Sequence, residues 1–300
     1  MAPTILLDGF AWRRHGWGAA LVSGPLAGLA DHFFTTRQLW LRGEREMEDW
    51  AALAATIGVP KDRLLRLNQV HGRRAVVHRA GAPERTRTGG SPLRLDEEAD
   101  WPRADILATD DPGVALVVQV ADCVPLLMAD ARGGAVAAVH AGWRGTAADA
   151  AATAVETLSR EFGSRAEDLV AAIGPSIGPC CYVVGEEVME AYRAAGFGWD
   201  LSRWFSRDGD GALRLDLWTA NRDQLLAAGV RADAIHRCGL CTASHPEWFA
   251  SYRRDGPGTG RLAAVIRSRG PRECTRRPTT PEAGPRTSAA GRRAPTTCSD

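Results

Sequence analysis

No apolar run in these 300 residues is long enough to cross a bilayer, which takes roughly 20 apolar residues in succession. Charge of one sign is lacking too: 37 basic against 36 acidic residues leave a formal net charge of +1. That balance argues against a generic nucleic-acid binder and leaves small anionic ligands open. Segment 1–17 carries Asp8, Arg13 and Arg14 and lacks the basic, apolar, small-residue order of a signal peptide. No internal repeat is visible. The Cys-x-x-Cys motif at Cys238 and Cys241 has no second copy to complete a four-cysteine zinc site. The seven cysteines are an odd count without an export signal, so they read as reduced thiols of a cytoplasmic protein. What remains is an ordinary globular composition with ample material for a core.

A helix is expected over 46–57, before Gly58 and Pro60. Segment 64–70 reads as a strand ending at His71-Gly72, and 75–78 continues it. Segment 81–102 is rich in Gly, Pro, Arg and acidic residues and reads as an exposed loop. Four strands then follow closely, at 104–109, 114–120, 124–129 and 135–139. Several are apolar on successive residues, so both their faces are expected to be buried. Thr146 reads as the N-cap of a helix to about residue 162, with Gly163 just past its end. A strand at 169–173, helices at 186–195 and 217–228, and short strands near Ile235 and at 261–266 complete the pattern. From Ser268 to Asp300 the chain turns to Pro, Thr, Arg, Gly and Ser. Such a segment cannot bury enough surface to offset its ordering entropy. The expectation is one folded region, 1–267, and a disordered tail, 268–300.

The richest stretch runs from Ala121 to His140. Two apolar runs flank Asp130-Ala131-Arg132-Gly133-Gly134, the pattern of a β-hairpin. A two-residue loop at Ala131-Arg132 pairs Asp130 with Gly133 and sets Cys123 opposite His140. A three-residue loop moves the pairing by one position. Opposed Cβ atoms in an antiparallel pair lie about 4.5–5.5 Å apart, so thiol and imidazole could share a metal ion or exchange a proton. His71, at a strand end before Gly72, is a third candidate ligand. Two imidazoles and a thiolate with an open fourth position make one form of catalytic zinc site. The plainer alternative makes each an ordinary core or edge residue. Asp122 could accept a proton or support Cys123, or it could tighten a turn. After His140 the chain reads Ala141-Gly-Trp-Arg144-Gly145 into a helix, whose N-terminus and arginine suit an anion. The alternative there is an ordinary turn with a surface arginine. Arg37 after Phe33-Phe34, the run Ser251-Tyr-Arg-Arg254, and Thr259-Gly-Arg261 could likewise line an anion pocket or form solvated loops. Adjacent Cys180-Cys181 could hardly both bind one ion in ordinary geometry. They and the Cys238/Cys241 pair read as structural thiols.

Taken together, Phe34-Thr-Thr-Arg37, Gln69-Val-His-Gly72, Ala121-Asp-Cys-Val-Pro125, His140-Ala-Gly-Trp-Arg-Gly145 and Ile173-Gly-Pro-Ser-Ile-Gly-Pro-Cys180 follow one order. With Cys241-Thr242, Ser251-Tyr-Arg-Arg254 and Thr259-Gly-Arg261 they resemble the laccase-domain purine nucleoside phosphorylase family, also labelled polyphenol oxidase or multicopper-oxidase-like. The resemblance covers about 31–266. It implies an α+β fold, a single-domain α/β/β/α-type sandwich with mixed sheets. It implies a catalytic zinc on His71, Cys123 and His140. It also implies phosphorolysis of adenosine, inosine, guanosine and methylthioadenosine, and deamination of adenosine. Partners are then purine nucleosides and phosphate, with neither nucleic acid nor membrane. On that reading Cys123 and Asp122 are the catalytic candidates, and Arg37 and Arg144 are candidates for holding substrate or phosphate. One departure is Arg37-Gln-Leu-Trp-Leu-Arg-Gly43, where the family continues into a Gly-Gly-Val-Ser loop.

Three rivals use the same residues. A metal-free hydrolase would take Cys123 as nucleophile and His140 as base. A copper-dependent phenol oxidase would add Met128 to the two histidines and the cysteine. A laccase also needs a trinuclear cluster, beyond what seven histidines supply. A non-catalytic protein could use zinc only to hold its fold.

Overall fold

The computed structural model describes residues 9–81, 101–198 and 201–270. Two six-stranded sheets dominate them. The first runs Phe10–His15, Gly18–Ser23, Ala30–Thr35, Leu262–Ser268, Ala115–Val120 and Leu64–Leu65, antiparallel except at its last pair. The second runs Ile235–Arg237, Leu169–Ile173, Val124–Asp130, Val136–Ala141, Ile106–Thr109 and Ala75–His78. It is antiparallel inside and parallel at both edges.

The consecutive apolar runs follow from the layering, because a strand covered on both faces has no polar side. Every residue of Val124–Asp130 and Val136–Ala141 is buried. Along the former, Leu127 and Ala129 face the first sheet, where they meet Phe34, Leu116, Val118 and Ile266. Leu126 and Met128 face the other way, into a layer closed by Ala154, Leu158 and Leu225. Those three belong to helices Ala150–Phe162 and Leu217–Ala227. Helix Glu46–Ile57 covers the far face of the first sheet, with Trp50, Leu53 and Ile57 against Phe33, Val117 and Val265. The result is the expected sandwich of helix, two mixed sheets and helix.

Three expectations shift. The helix expected from an N-cap at Thr146 starts earlier: Gly142 caps a short helix, Trp143–Ala147. The chain then breaks at Asp149, whose φ is +64°, before Ala150–Phe162 begins. Thr146 lies buried inside the first piece, where its hydroxyl accepts from Asn221 Nδ2 at 3.0 Å and its carbonyl from Gln224 Nε2 at 2.7 Å. The strand expected over 64–70 forms a ladder at Leu64–Leu65 and a single further bridge from Asn68 to Arg103, and 75–78, expected to continue it, joins the other sheet. Beyond Leu65 the Gln69 side chain takes over the ladder's role, donating to Gln119 O and accepting from Gln119 N–H, both at 2.8 Å. Ser268, where the tail was expected to begin, is the buried last residue of its strand. Residues 82–100 of the expected loop and 271–300 of the expected tail lie outside the described residues.

Candidate metal centre

The hairpin forms, but in another register. Pro125, not Cys123, stands opposite His140, and Ala129 faces Val136. Asp130 N–H donates to Ala135 O at 2.8 Å, so the loop is 131–134, longer than either loop expected. Asp130 Oδ1 accepts from Arg132 N–H at 2.8 Å, and Gly134 takes a φ of +74°, which together close this wider turn. The displacement is two positions, one full side-chain period, so Cys123 and His140 keep the same face. Continuing the register by one residue sets Cys123 opposite Gly142. A Cβ there would stand 2.7 Å from Cys123 Sγ and 3.3 Å from His71 Cδ2, so glycine at 142 leaves the room that the sulfur occupies.

His71 completes the cluster. Ligand atoms of His71, Cys123 and His140 all lie within 4.8 Å of one another, and the two imidazole rings meet edge to face at 4.8 Å between centroids. One buried carboxylate arranges both histidines. Asp105 Oδ1 accepts from His140 Nδ1 at 2.8 Å and from His71 N–H at 2.9 Å, and Oδ2 accepts from Gly72 N–H at 2.7 Å. Those bonds fix His71 at a φ of +61°, a conformation rare outside glycine. They also leave Nε2 of His140 free to act as a ligand. Sequence reading missed Asp105. Its signal was a lone acid between Ala104 and Ile106 at the head of an apolar strand.

Asp122 also has a φ above zero, +86°. Its Oδ1 accepts from Thr242 Oγ1 at 2.5 Å and its Oδ2 from Arg253 N–H at 2.6 Å. Both oxygens are thus engaged in fixing the turn that presents Cys123. Burial alone would raise the Cys123 thiol, but the His140 charge and hydrogen bonds from both histidines bring it down to about 6. Conversely, burial would lower His140, and the Cys123 thiolate with the Asp105 hydrogen bond raises it to about 9. Each group thus favours the charged form of the other, thiolate beside imidazolium.

A cavity of about 650 Å³ opens over the cluster. Trp101, Trp143, Tyr182 and Tyr252 give it aromatic walls, and Arg144, Arg253 and Arg261 give it cationic ones. The Arg144 guanidinium lies over the Trp143 ring at 4.1 Å, and that of Arg253 lies over Tyr182 at 5.0 Å. Arg37 is not among these residues: its Nη1 donates to Pro246 O at 2.6 Å and its guanidinium rests 5.6 Å from the Trp40 ring. Arg254, from the same run as Arg253, turns away to the Thr242 and Phe249 carbonyls. Met128 lies on the opposite face of its strand from Cys123, buried under the helices. A second cluster with metal-ligand spacing joins Cys180, Cys181 and Cys241. No helix among the described residues is long and apolar enough to cross a membrane.

The family model described as multi-copper polyphenol oxidoreductase laccase matches residues 44–269. A purine nucleoside phosphorylase of Bacteroides thetaiotaomicron is 44% identical over 163 residues, 54% of this chain and 60% of that protein. An adenosine deaminase named RL5, from an unknown prokaryotic organism, is 38% identical over 74% of this chain and 81% of its own length. The crystal structure of YlmD from Geobacillus stearothermophilus matches with a TM-score of 0.71 at 30% identity, covering 89% of this chain and 100% of that one. The reach of the family match, with likeness in both sequence and fold to these proteins, shows that the chain belongs to the multi-copper polyphenol oxidoreductase laccase family, within the superfamily of its purine nucleoside phosphorylase relatives.

Proposed function

We propose that the chain is a zinc-dependent enzyme of purine nucleosides, catalysing phosphorolysis of adenosine, inosine, guanosine and methylthioadenosine and deamination of adenosine. The observation that carries the reading is the His71, Cys123, His140 cluster at the base of a cavity walled by aromatic rings and arginines. The donor set fits zinc. Zinc–nitrogen bonds of about 2.0–2.1 Å and a zinc–sulfur bond of about 2.3 Å set tetrahedral ligand atoms about 3.3–3.6 Å apart, a contraction of about 1.5 Å at most from the present spacing. Zinc bound there supplies Lewis-acid chemistry at an open fourth position.

The chain's own residues supply the rest. Asp105 holds the His140 tautomer, and Asp122 holds the turn that presents Cys123. Tyr252, with the faces of Trp143 and Tyr182 that Arg144 and Arg253 leave uncovered, would offer stacking surface for a purine. Arg144, Arg253 and Arg261 line the cavity and would hold phosphate near the ribose, with Arg144 as a bidentate donor. Its helix, Trp143–Ala147, adds little dipole at this length, so the arginine side chains carry the charge. Arg37 has no part in this arrangement. Relatives named purine nucleoside phosphorylase and adenosine deaminase support the substrate class.

A metal-free hydrolase is the second reading, favoured by one observation: Asp105, His140 and Cys123 form an acid–base–thiol chain in the order a cysteine nucleophile uses. A copper oxidase has less to draw on. Of seven histidines, His71 and His140 are the ones placed in metal-type clusters among the described residues. Metal analysis with product detection on adenosine separates the readings. Stoichiometric zinc, with adenine formed only when phosphate is present and inosine formed without it, supports the proposal. Full turnover by metal-free protein overturns it.

A further inference from the structure

The proposed nucleoside site leaves Cys180, Cys181 and Cys241 unused. Adjacency in sequence speaks against the first two sharing an ion, yet their sulfurs lie 3.6 Å apart, and all three sulfurs lie within 4.8 Å of one another. The local backbone explains this. Cys181 and Tyr182 N–H both donate to Gly178 O, at 3.0 and 3.1 Å, in a tight turn. Gly178 N–H donates to Cys241 Sγ at 3.2 Å, and an isolated bridge pairs Ser176 with Cys241. The second cysteine of the Cys-x-x-Cys motif therefore joins the turn, while Cys238 stays buried elsewhere with its N–H on Ile173 O.

The donor set decides which ion would fit. At metal–sulfur bonds of about 2.3 Å, two thiolates of one ion stand about 3.8 Å apart in tetrahedral geometry and about 4.0 Å in trigonal geometry. The observed 3.6 Å sits next to both values, and the third sulfur needs a shift of about 1 Å at most. Neither imidazole nor carboxylate belongs to this cluster among the described residues. Ser244 Oγ, 3.9 Å from Cys180 Sγ, is a weak fourth donor. Three soft donors with no strong fourth favour a soft ion content with three ligands, which is Cu(I) rather than Zn(II). Cys180 is exposed, Cys181 half-buried and Cys241 buried, so the cluster is open to solvent on one side. Arg214 donates to the Cys180 carbonyl at 2.7 Å and sets a fixed positive charge nearby.

We propose that Cys180, Cys181 and Cys241 form a three-thiolate Cu(I) site, separate from the His71, Cys123, His140 cluster. Binding exchanges three S–H protons for one Cu⁺, leaves all oxidation states unchanged and releases three protons. The site adjoins the cavity wall. Tyr182 follows Cys181 and lines the cavity, and Thr242 follows Cys241 and holds Asp122. An ion there would stiffen the wall from outside.

Fully reduced full-length protein is titrated with Cu(I), without oxygen, against a chromophoric Cu(I) chelator. The His71→Ala/His140→Ala variant should still bind one equivalent, and copper X-ray absorption should show sulfur ligands alone. The Cys180→Ser/Cys241→Ser variant, checked for wild-type circular dichroism, should lose that equivalent. Should it misfold, alkylation of exposed Cys180 in the native protein provides the same comparison. An equivalent that survives both treatments, or that shows nitrogen donors, overturns the proposal. Either result leaves the nucleoside reading standing, because that reading is tested at different residues.

Discussion

Asp105→Asn tests the arrangement of the candidate metal centre without touching a ligand. The wild-type carboxylate is fully buried and accepts from His140 Nδ1, His71 N–H and Gly72 N–H. Burial would raise its pKa, but the His140 hydrogen bond and the Gly72 N–H hold it below the usual carboxylate value. It is therefore ionised at neutral pH. The amide keeps the shape but replaces one accepting oxygen with a donor. Either the Oδ1 side or the Oδ2 side then meets donor with donor. Losing one charge-assisted hydrogen bond costs about 1.5–3 kcal/mol. The second consequence falls on the metal: an unanchored His140 ring should weaken zinc about 10- to 100-fold. Urea unfolding of metal-free protein reads the first effect, and zinc competition with a chromophoric chelator reads the second. Unchanged zinc affinity in a variant that shows the stability loss would refute the orienting role of Asp105.

Gly142→Ala should fold, because its φ of −71° and ψ of 179° suit any residue, but the new Cβ would stand 2.7 Å from Cys123 Sγ. Zinc content measured by mass spectrometry should fall well below one per chain while the circular dichroism stays native. Full zinc content would contradict the close approach. Arg144→Ala should raise KM for phosphate roughly 10- to 100-fold, the size of one lost charged hydrogen bond, whereas Arg37→Ala should leave it unchanged. Equal effects in steady-state kinetics would mean that the cavity is not the phosphate site. His32 gives a pH test remote from the cluster. Burial lowers it from 6.5 to about 4, with a small further push from Arg13. Its Nε2 accepts from Ser23 N–H at 2.9 Å, a bond that protonation destroys. The unfolded chain binds the proton first, so stability is intact above pH 6.5 and about 3 kcal/mol is lost as pH falls through 6.5 towards 4. His32→Gln should flatten that slope in urea melts taken between pH 7 and 4.5.

Legibility in the sequence tracked how local each determinant was. Helix Glu46–Ile57 and the stop at Gly163 were readable because periodicity and a left-handed glycine are local signals. The apolar strands were readable because burial on both faces leaves no polar residue to confuse the pattern. The edge strand Phe10–His15 was missed, since Arg13 and Arg14 on an outer strand resemble a loop. The hairpin register slipped because the Asp130 contact to Arg132 N–H and the positive φ of Gly134 together close a wider loop than the two or three residues expected. The pairing of Cys180 and Cys181 with Cys241 depended on a bridge between segments about sixty residues apart, which no spacing rule reports.

That register error did little harm to the site, and the reason bears on what the site is for. A slip of two preserves facing, so the hairpin offers Cys123 and His140 to the same side under either pairing. The final approach is imposed from elsewhere in the fold. Two of the four non-glycine residues with positive φ among the described residues are His71 and Asp122, one a candidate ligand and the other adjacent to Cys123. Each such conformation costs about 1–3 kcal/mol. Both are held by buried carboxylates, Asp105 for His71 and Asp122 through Thr242 and Arg253. The three apolar layers that hold the molecule together draw on other residues, with Cys123 only at their margin. A metal needed merely for folding would replace missing core and gather ligands from loosely held chain. Here the core is extensive, and the candidate ligand His71 and the turn before Cys123 are held in strained conformations by hydrogen bonds of their own, which is the arrangement expected if an ion is positioned for chemistry on a bound substrate.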